Sequence, residues 1–371
     1  MRVLMVSTSY PRDSSDWRGV FIRALVEATA RRTDIQLSLW APPGKVPVGV
    51  YRAATNDESH WLSWLMERGG ISHLIRHPSP FNLHAPLHLL RRLRAVYLRN
   101  TDVDLYHINW LQCALPLPDN GIPALISVLG NDLKLLRLPL MRRLLRRAMR
   151  RRRVILCPNA EWMLGPLDAA FSDVAEIEPV SFGVDARWFA IERTTRTPSR
   201  WVAITRLTAD KLGPLLEWSK PLFSNGVREL HLFGPMQEKT RLPDWIYYHG
   251  AIDSNALVYE WFPSATGLIT LSRHAEGRPQ IMLEAMAAGL PIVASRMPAH
   301  ATVVRDGLTG ILCDSIDGYV RAIEQTEDIA TNSRFGMAAR SIAKNEFGTW
   351  DDCVNRYSQI YSRLCGSSSH G

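Results

Sequence analysis

Short apolar runs of strand length alternate with helical stretches, first across residues 2–157 and again across 201–312, and this rhythm limits the fold more than any other feature. Residues 2–8 read as a buried strand, a loop holding Pro11 and Gly19 follows, and residues 20–31 read as a helix. A second strand at 35–41 completes a βαβ unit, which places parallel strands side by side under covering helices. Further strands are predicted at 104–108, 123–129 and 154–157, with helices near 87–98 and 138–152, so the first half reads as doubly wound α/β. The second half repeats the pattern with strands at 201–205, 229–233, 245–248, 267–271, 291–294 and near 310–312. Between them, Phe182-Gly183-Val184-Asp185 and the polar stretch 192–199 have linker composition. The expected domains are 1–183 and 184–349, both Rossmann-like, and the serine-rich tail 366–371 is expected to fray.

A length of 371 residues suits two domains, and 46% hydrophobic with 22% charged residues excludes global disorder. No window of about 18 uninterrupted apolar residues exists, so neither a membrane span nor a secretory leader is predicted and the mature chain is expected to begin at Met1. Cys113, Cys157, Cys313, Cys353 and Cys365 are widely spaced and form no CxxC. They argue against a disulfide framework or zinc cluster and for a reducing, cytoplasmic setting. The net charge of +8 is uneven: residues 1–185 hold 24 Lys and Arg against 17 Asp and Glu, and the rest hold 20 against 19. The first half is therefore expected to meet something anionic.

In open parallel sheets, ligands sit outside the carboxyl ends of the strands. The densest chemistry there is the segment from Ser272 to Pro291. Gly277 permits a tight turn, Pro279 suits a first helical position, and Gly289 with Pro291 ends the helix, which is expected to run about three turns. Its N-terminus offers unpaired N–H groups that fit a diphosphate, and Glu276 and Glu284, eight positions apart, address different hydroxyls of one ligand.

Glu276 and Glu284, set in Glu-Gly-Arg-Pro-Gln-Ile-Met-Leu-Glu-Ala-Met-Ala-Ala-Gly-Leu-Pro, resemble the signature of the retaining GT-B glycosyltransferases called family 4. Tyr10-Pro11, Gly19-Val20-Phe21, Ser181 to Asp185, Arg206 with Lys211, and His249-Gly250 follow the family order. The resemblance implies two Rossmann-like domains facing each other across a cleft, with a last helix at 350–364 completing the first. It also implies that Glu276, Arg206 and Lys211 are catalytic, the two cations neutralising the departing diphosphate while Glu276 contacts the transferred sugar. Glu284 would bond the ribose, and Gly19, Ser272, Gly277, Arg278, Pro279 and Gln280 would complete the donor site. Many relatives carry a histidine after the strand at 123–129, where this chain has Leu129. His107 and Asp132 are the residues considered for the sugar or acceptor side.

No metal-ligand cluster stands out, and Asp102-Val103-Asp104 reads as a solvated strand entrance. Walker and nicotinamide glycine motifs are absent, so no cofactor and no metal are expected. Nine arginines between Arg137 and Arg153 alternate with apolar residues at helical spacing. This reads either as a core-packed helix with a solvated basic face or as a surface for anionic lipid or a diphosphate-linked acceptor. Arg142, Arg143, Arg146, Arg147, Arg150 and Arg151 are the membrane candidates, and no nucleic acid is expected because no aromatic reading module accompanies them. The resulting expectation is a cytoplasmic enzyme, peripheral on the inner face of the plasma membrane. It moves a sugar from a nucleotide-sugar donor to a glycan or lipid-linked acceptor in bacterial surface assembly. A GT-B nucleotide-sugar epimerase and a catalytically silent binding protein remain open alternatives.

Overall fold

The computed structural model describes residues 1–13, 16–71, 74, 84–194 and 197–366. Of the tail expected to fray, Gly366 ends the last helix while 367–371 lie outside the described residues, as do two positions of the polar linker. The chain forms two units, Met1–Ser181 with Trp350–Gly371, and Phe182–Thr349.

The first unit is built on a parallel sheet in the order β3-β2-β1-β4-β5-β6-β7. Its strands are β1 (Arg2–Val6), β2 (Gln36–Trp40), β3 (Tyr51–Arg52), β4 (Leu105–Asn109), β5 (Ala124–Val128), β6 (Val154–Pro158) and β7 (Glu176–Ile177). β4, β5 and β6 are buried at every position, as expected where helices cover both faces and remove the polar alternation of a half-exposed strand. β3 and β7 escape sequence reading because each is two residues long and carries exposed side chains. The helix Trp350–Gly366 returns after the second unit to pack on the helix Val20–Ala30 and on β4 to β6. It buries Trp350, Cys353, Val354, Tyr357, Ile360, Tyr361 and Leu364, a stripe at helical spacing.

The basic segment differs from the single helix expected. A 3₁₀ turn spans Asn131–Arg137, Leu140 takes a φ of +63°, and the α-helix covers only Met141–Met149. Leu145, Ala148 and Met149 face the core. At 100° per residue, Arg143, Arg147 and Arg150 fall on the opposite side.

The second unit has the sheet order β10-β9-β8-β11-β12-β13, again parallel. Its strands are β8 (Ser199–Ile204), β9 (Arg228–Phe233), β10 (Ile246–Gly250), β11 (Gly267–Thr270), β12 (Ile292–Ser295) and β13 (Gly310–Cys313). Strand order reverses between β1 and β4 in the first unit and between β8 and β11 in the second. Chains leaving neighbouring strands at such a point turn to opposite faces and open a crevice at the carboxyl ends. The loops after β8 and β11 are therefore where the second unit can hold a ligand.

Candidate active site

Arg206 and Lys211 follow β8, and Ser272 to Gln280 follow β11, so both groups lie at the second unit's reversal point. Lys211 sits in a one-turn helix, Ala209–Leu212, capped by Thr208, whose hydroxyl accepts from the Lys211 N–H at 3.3 Å. The helix stops at Gly213, with φ +53°, and a Cβ there would lie 2.1 Å from the Leu271 carbonyl oxygen. Only glycine lets this turn close against the end of β11. The Arg273 N–H donates to the Asp210 carbonyl at 2.8 Å and ties the two loops together. Lys211 Nζ thus reaches Glu276 Oε2 at 2.6 Å, with side-chain exposures of 11% and 21%. Desolvation lowers the Lys211 pKa, Glu276 opposes that shift, and the Arg206 charge adds to it. The residues expected to serve the departing diphosphate and the sugar therefore meet directly.

The helix after this loop covers Gln280–Ala287, eight residues against the three turns expected, and Pro279 occupies the cap with extended backbone instead of the first helical position. No side chain caps its N-terminus, leaving its first amides for other partners. Gln280 Nε2 donates to the Gly183 carbonyl at 2.8 Å and anchors the helix to the start of the unit, while its Oε1 has no hydrogen-bond partner among the described residues. Arg278 is buried, with its guanidinium 5.0 Å above the Phe347 ring, a packing position that the motif does not announce. Ser272 is buried and its hydroxyl accepts from the His274 N–H at 3.1 Å, holding the loop's first turn. Gly277 is buried beside Arg278.

Glu284 lies about one turn along the helix, partly covered. Burial pushes its pKa up to about 8, with the Arg187 charge pulling it down and Asp185 pushing further up. Asp185 closes the Phe-Gly-Val-Asp landmark and Arg187 stands two residues beyond it, but the sequence did not mark either as a neighbour of Glu284. His300 was also missed. It is fully buried, and Nδ1 lies 2.9 Å from the Ser295 carbonyl oxygen, so Nδ1 carries the proton. Its Nε2 is then a buried lone pair without a partner. The charges of both Glu276 and Lys211 act on this ring, and the Ser295 hydroxyl donates to the Ser272 carbonyl at 2.8 Å. No periodicity or motif marks a histidine on a four-residue helix such as Pro298–Ala301.

The first unit corrects two expectations. His107 is fully buried in β4, with Nδ1 at 2.5 Å from the Tyr361 hydroxyl and Nε2 at 2.9 Å from the Ser127 hydroxyl. Burial pushes its pKa down to about 3, so it is a neutral structural link between the sheet and the closing helix. Asp132 is buried and accepts from the N–H groups of Leu111 and Leu129, each at 3.1 Å. Burial pushes its pKa up to about 6 against the pull of these bonds, and the carboxyl holds two loops together. Neither residue presents a free group to an acceptor. Gly19 has φ +69° and heads the helix Val20–Ala30, and a Cβ there would lie 2.7 Å from the Ser9 hydroxyl oxygen, so the turn itself requires glycine. Sequence reading also passed over Trp110, held at φ +73° directly after β4 with its ring edge-on to Phe21 at 6.2 Å.

Three of the membrane arginines are engaged within the first unit. Arg142 donates to the Ala169 carbonyl at 2.6 Å, Arg146 pairs with Asp173, and Arg151 pairs with Asp119 at 2.5 Å. Asp102 and Asp104 pair with Arg2 at 3.4 and 3.5 Å, at the end of the sheet away from the ligand loops. No helix among the described residues is long and apolar enough to cross a membrane.

Comparison with known proteins places this geometry in a class. The chain resembles solved sucrose-phosphate synthase from Thermosynechococcus elongatus over 99% of its length and 100% of that chain, with a TM-score of 0.73 at 15% identity. It resembles the Anabaena protein HepE, solved in complex with UDP and glucose, over 98% of this chain and 100% of that one, with a TM-score of 0.67 at 15% identity. The fold is GT-B. Residues 204–328, within the second unit, match the family described as glycosyl transferases group 1. The D-inositol 3-phosphate glycosyltransferase of Streptomyces griseus is 29% identical over 124 residues, 33% of this chain. Spore coat protein SA of Bacillus subtilis is 24% identical over 144 residues, 38% of this chain and 36% of that protein. The matched stretch spans only 25% of the Streptomyces relative's own length.

Proposed function

We propose that the protein is a retaining glycosyltransferase that moves a hexosyl group from a nucleotide-diphosphate sugar to a lipid-linked or polysaccharide acceptor in bacterial surface glycan assembly. The Lys211–Glu276 contact carries the reading, because it sets a cation suited to a diphosphate against a carboxylate suited to sugar hydroxyls. In the reaction the bond from the anomeric carbon to the phosphate oxygen breaks and a bond to an acceptor oxygen forms on the same face. The acceptor's proton leaves toward the diphosphate. Arg206 and Lys211 face the charge that grows on the leaving group, and fixed cations in a partly dry site stabilise it without reorganising. Glu284 as carboxylate accepts from ribose hydroxyls, and Glu276 from hydroxyls of the sugar. The Anabaena protein solved with UDP and glucose supports UDP as the first nucleotide to try. Titration with UDP-, GDP- and ADP-sugars should find one base that binds, and turnover with that donor should give product of unchanged anomeric configuration by NMR. An inverted product, or no donor among the three, would remove the reading.

We infer further that the first unit attaches to anionic membrane through a narrower surface than the whole arginine series. The Arg143, Arg147 and Arg150 side chains make no hydrogen bond or close ion pair with another described residue, although the Arg150 charge acts on Asp173, and beside them Leu138, Leu140 and Leu144 are 50%, 63% and 51% exposed. Leu140 and Leu144 are one turn apart, so an apolar ridge runs along a basic one. A leucine held at φ +63° and left in solvent gains nothing from core packing, which favours a role outside the chain. Each arginine adds about 1 kcal/mol near an anionic surface, and the leucines add burial in the headgroup layer. Sedimentation should show binding to anionic but not neutral vesicles, weakened by salt and by Arg143, Arg147 and Arg150→Gln. Substituting Arg142, Arg146 and Arg151 should do less. Equal pelleting with neutral vesicles would end this assignment.

A further inference from the structure

The Lys211–Glu276 pair differs from an ordinary surface ion pair in its enclosure. At 2.6 Å, with exposures of 11% and 21%, neither charge is well screened by water. Removing one partner from such a pair leaves the other uncompensated. Lys211 depends on a counter-ion in particular, since desolvation and the Arg206 charge both work against its protonated form. A diphosphate entering the site supplies that counter-ion. Glu276 then loses its cation and stands close to an incoming anion.

The groups around Glu276 decide what happens next. His300 cannot take over as donor, because its proton is held on Nδ1 by the Ser295 carbonyl and Nε2 offers only a lone pair. A released Glu276 carboxylate must find hydroxyl donors from the ligand. A loaded donor has them on its sugar, and a spent nucleoside diphosphate has none in that position.

We propose that Glu276 discriminates the loaded donor from its spent nucleotide by exchange. Its carboxylate holds Lys211 in the empty site and passes to sugar hydroxyls only when the sugar is present. The inference rests on the donor-site reading given above. It makes Glu276 a specificity-determining residue that weakens the hold on the product as well as contacting the substrate. Product release is thereby favoured, because both ligands take Lys211 from Glu276 but only the loaded donor offers sugar hydroxyls to the released carboxylate.

The test is calorimetric titration of the full chain with inorganic pyrophosphate, UDP and UDP-glucose, in the wild type, Glu276→Gln, Lys211→Gln and the double variant. Glutamine keeps the size of glutamate, and unchanged thermal melting would establish that each variant is folded. Glu276→Gln should bind pyrophosphate and UDP about tenfold more tightly than the wild type, because a competing negative charge is gone. The ratio of UDP-glucose to UDP affinity should fall by a similar factor. In the double variant the gain should vanish, since no freed ammonium remains to produce it. Unchanged or weaker pyrophosphate and UDP binding in Glu276→Gln would overturn the exchange while leaving the donor site in place. Absence of any binding to wild type and variants alike would remove the donor-site reading and the exchange with it.

Discussion

Within β4 and β5 and just after them, the polar residues His107, Ser127 and Asp132 are buried and bonded to their own unit. At the ends of β8 and β11, the Lys211 and Glu276 side chains pair with each other, Glu284 is pushed toward its neutral form, and His300 Nε2 has no hydrogen-bond partner among the described residues. The first region borders the reversal of strand order in its parallel sheet, and the second lies at the reversal in its own. Their difference teaches that the fold offers a crevice without prescribing its chemistry. A polar residue at a strand end serves as mortar where its bonds are saturated internally and as a ligand group where they can be exchanged.

The sharpest way to break this contrast is to remove one exchangeable group. Lys211→Ala should lower kcat by about 10²–10³-fold, the scale of losing one preorganised group that stabilises developing charge, with little change in thermal stability. Steady-state kinetics alongside melting curves would check it, and retained turnover would return Lys211 to a structural role.

A saturated group should behave in the opposite way. His107→Ala leaves the Ser127 and Tyr361 hydroxyls unpaired next to a new cavity, and should cost about 2–4 kcal/mol in urea unfolding of the chain. Nucleotide binding to the folded variant should persist. Loss of nucleotide binding without loss of stability would show that the first unit's histidine had been misassigned.

Glu284 gives a smaller effect that depends on pH. With a folded pKa of about 8 against an ordinary 4.5, it keeps a proton that the unfolded chain has already released across that window. Its contribution to stability is therefore present below pH 4.5 and falls as pH rises toward 8. Donor affinity should run the other way, rising about tenfold between pH 7 and 9 as the carboxylate forms to accept ribose hydroxyls. Glu284→Gln should flatten both curves. Parallel pH slopes in the variant and wild type would assign the titration to another group.

The strand and helix rhythm, the glycine and proline punctuation and the ordered landmarks made two α/β units and the loop from Ser272 to Gln280 legible in the sequence. They are local signals: burial on both faces writes continuous apolar runs, and turns demand particular residues. Helix lengths near 141 and 280 came out too long, because apolar spacing continues past the point where a left-handed Leu140 or a buried Pro279 sets the true start. The bonds of His107 and Gln280 could not be read, since each depends on partners distant in the chain, and Asp132 joins the nearby Leu129 to Leu111, 21 positions away. Tyr361 lies 254 positions from His107, and Gly183 lies 97 from Gln280. The same holds for the Lys211–Glu276 contact, which spans 65 positions. The sequence by itself determined which side chains stand at the strand ends, because periodicity and turn chemistry act over a few residues. Only the tertiary structure decided which of them are saturated and which are left to exchange, because hydrogen bonding and desolvation depend on what the folded chain brings within about 3 Å.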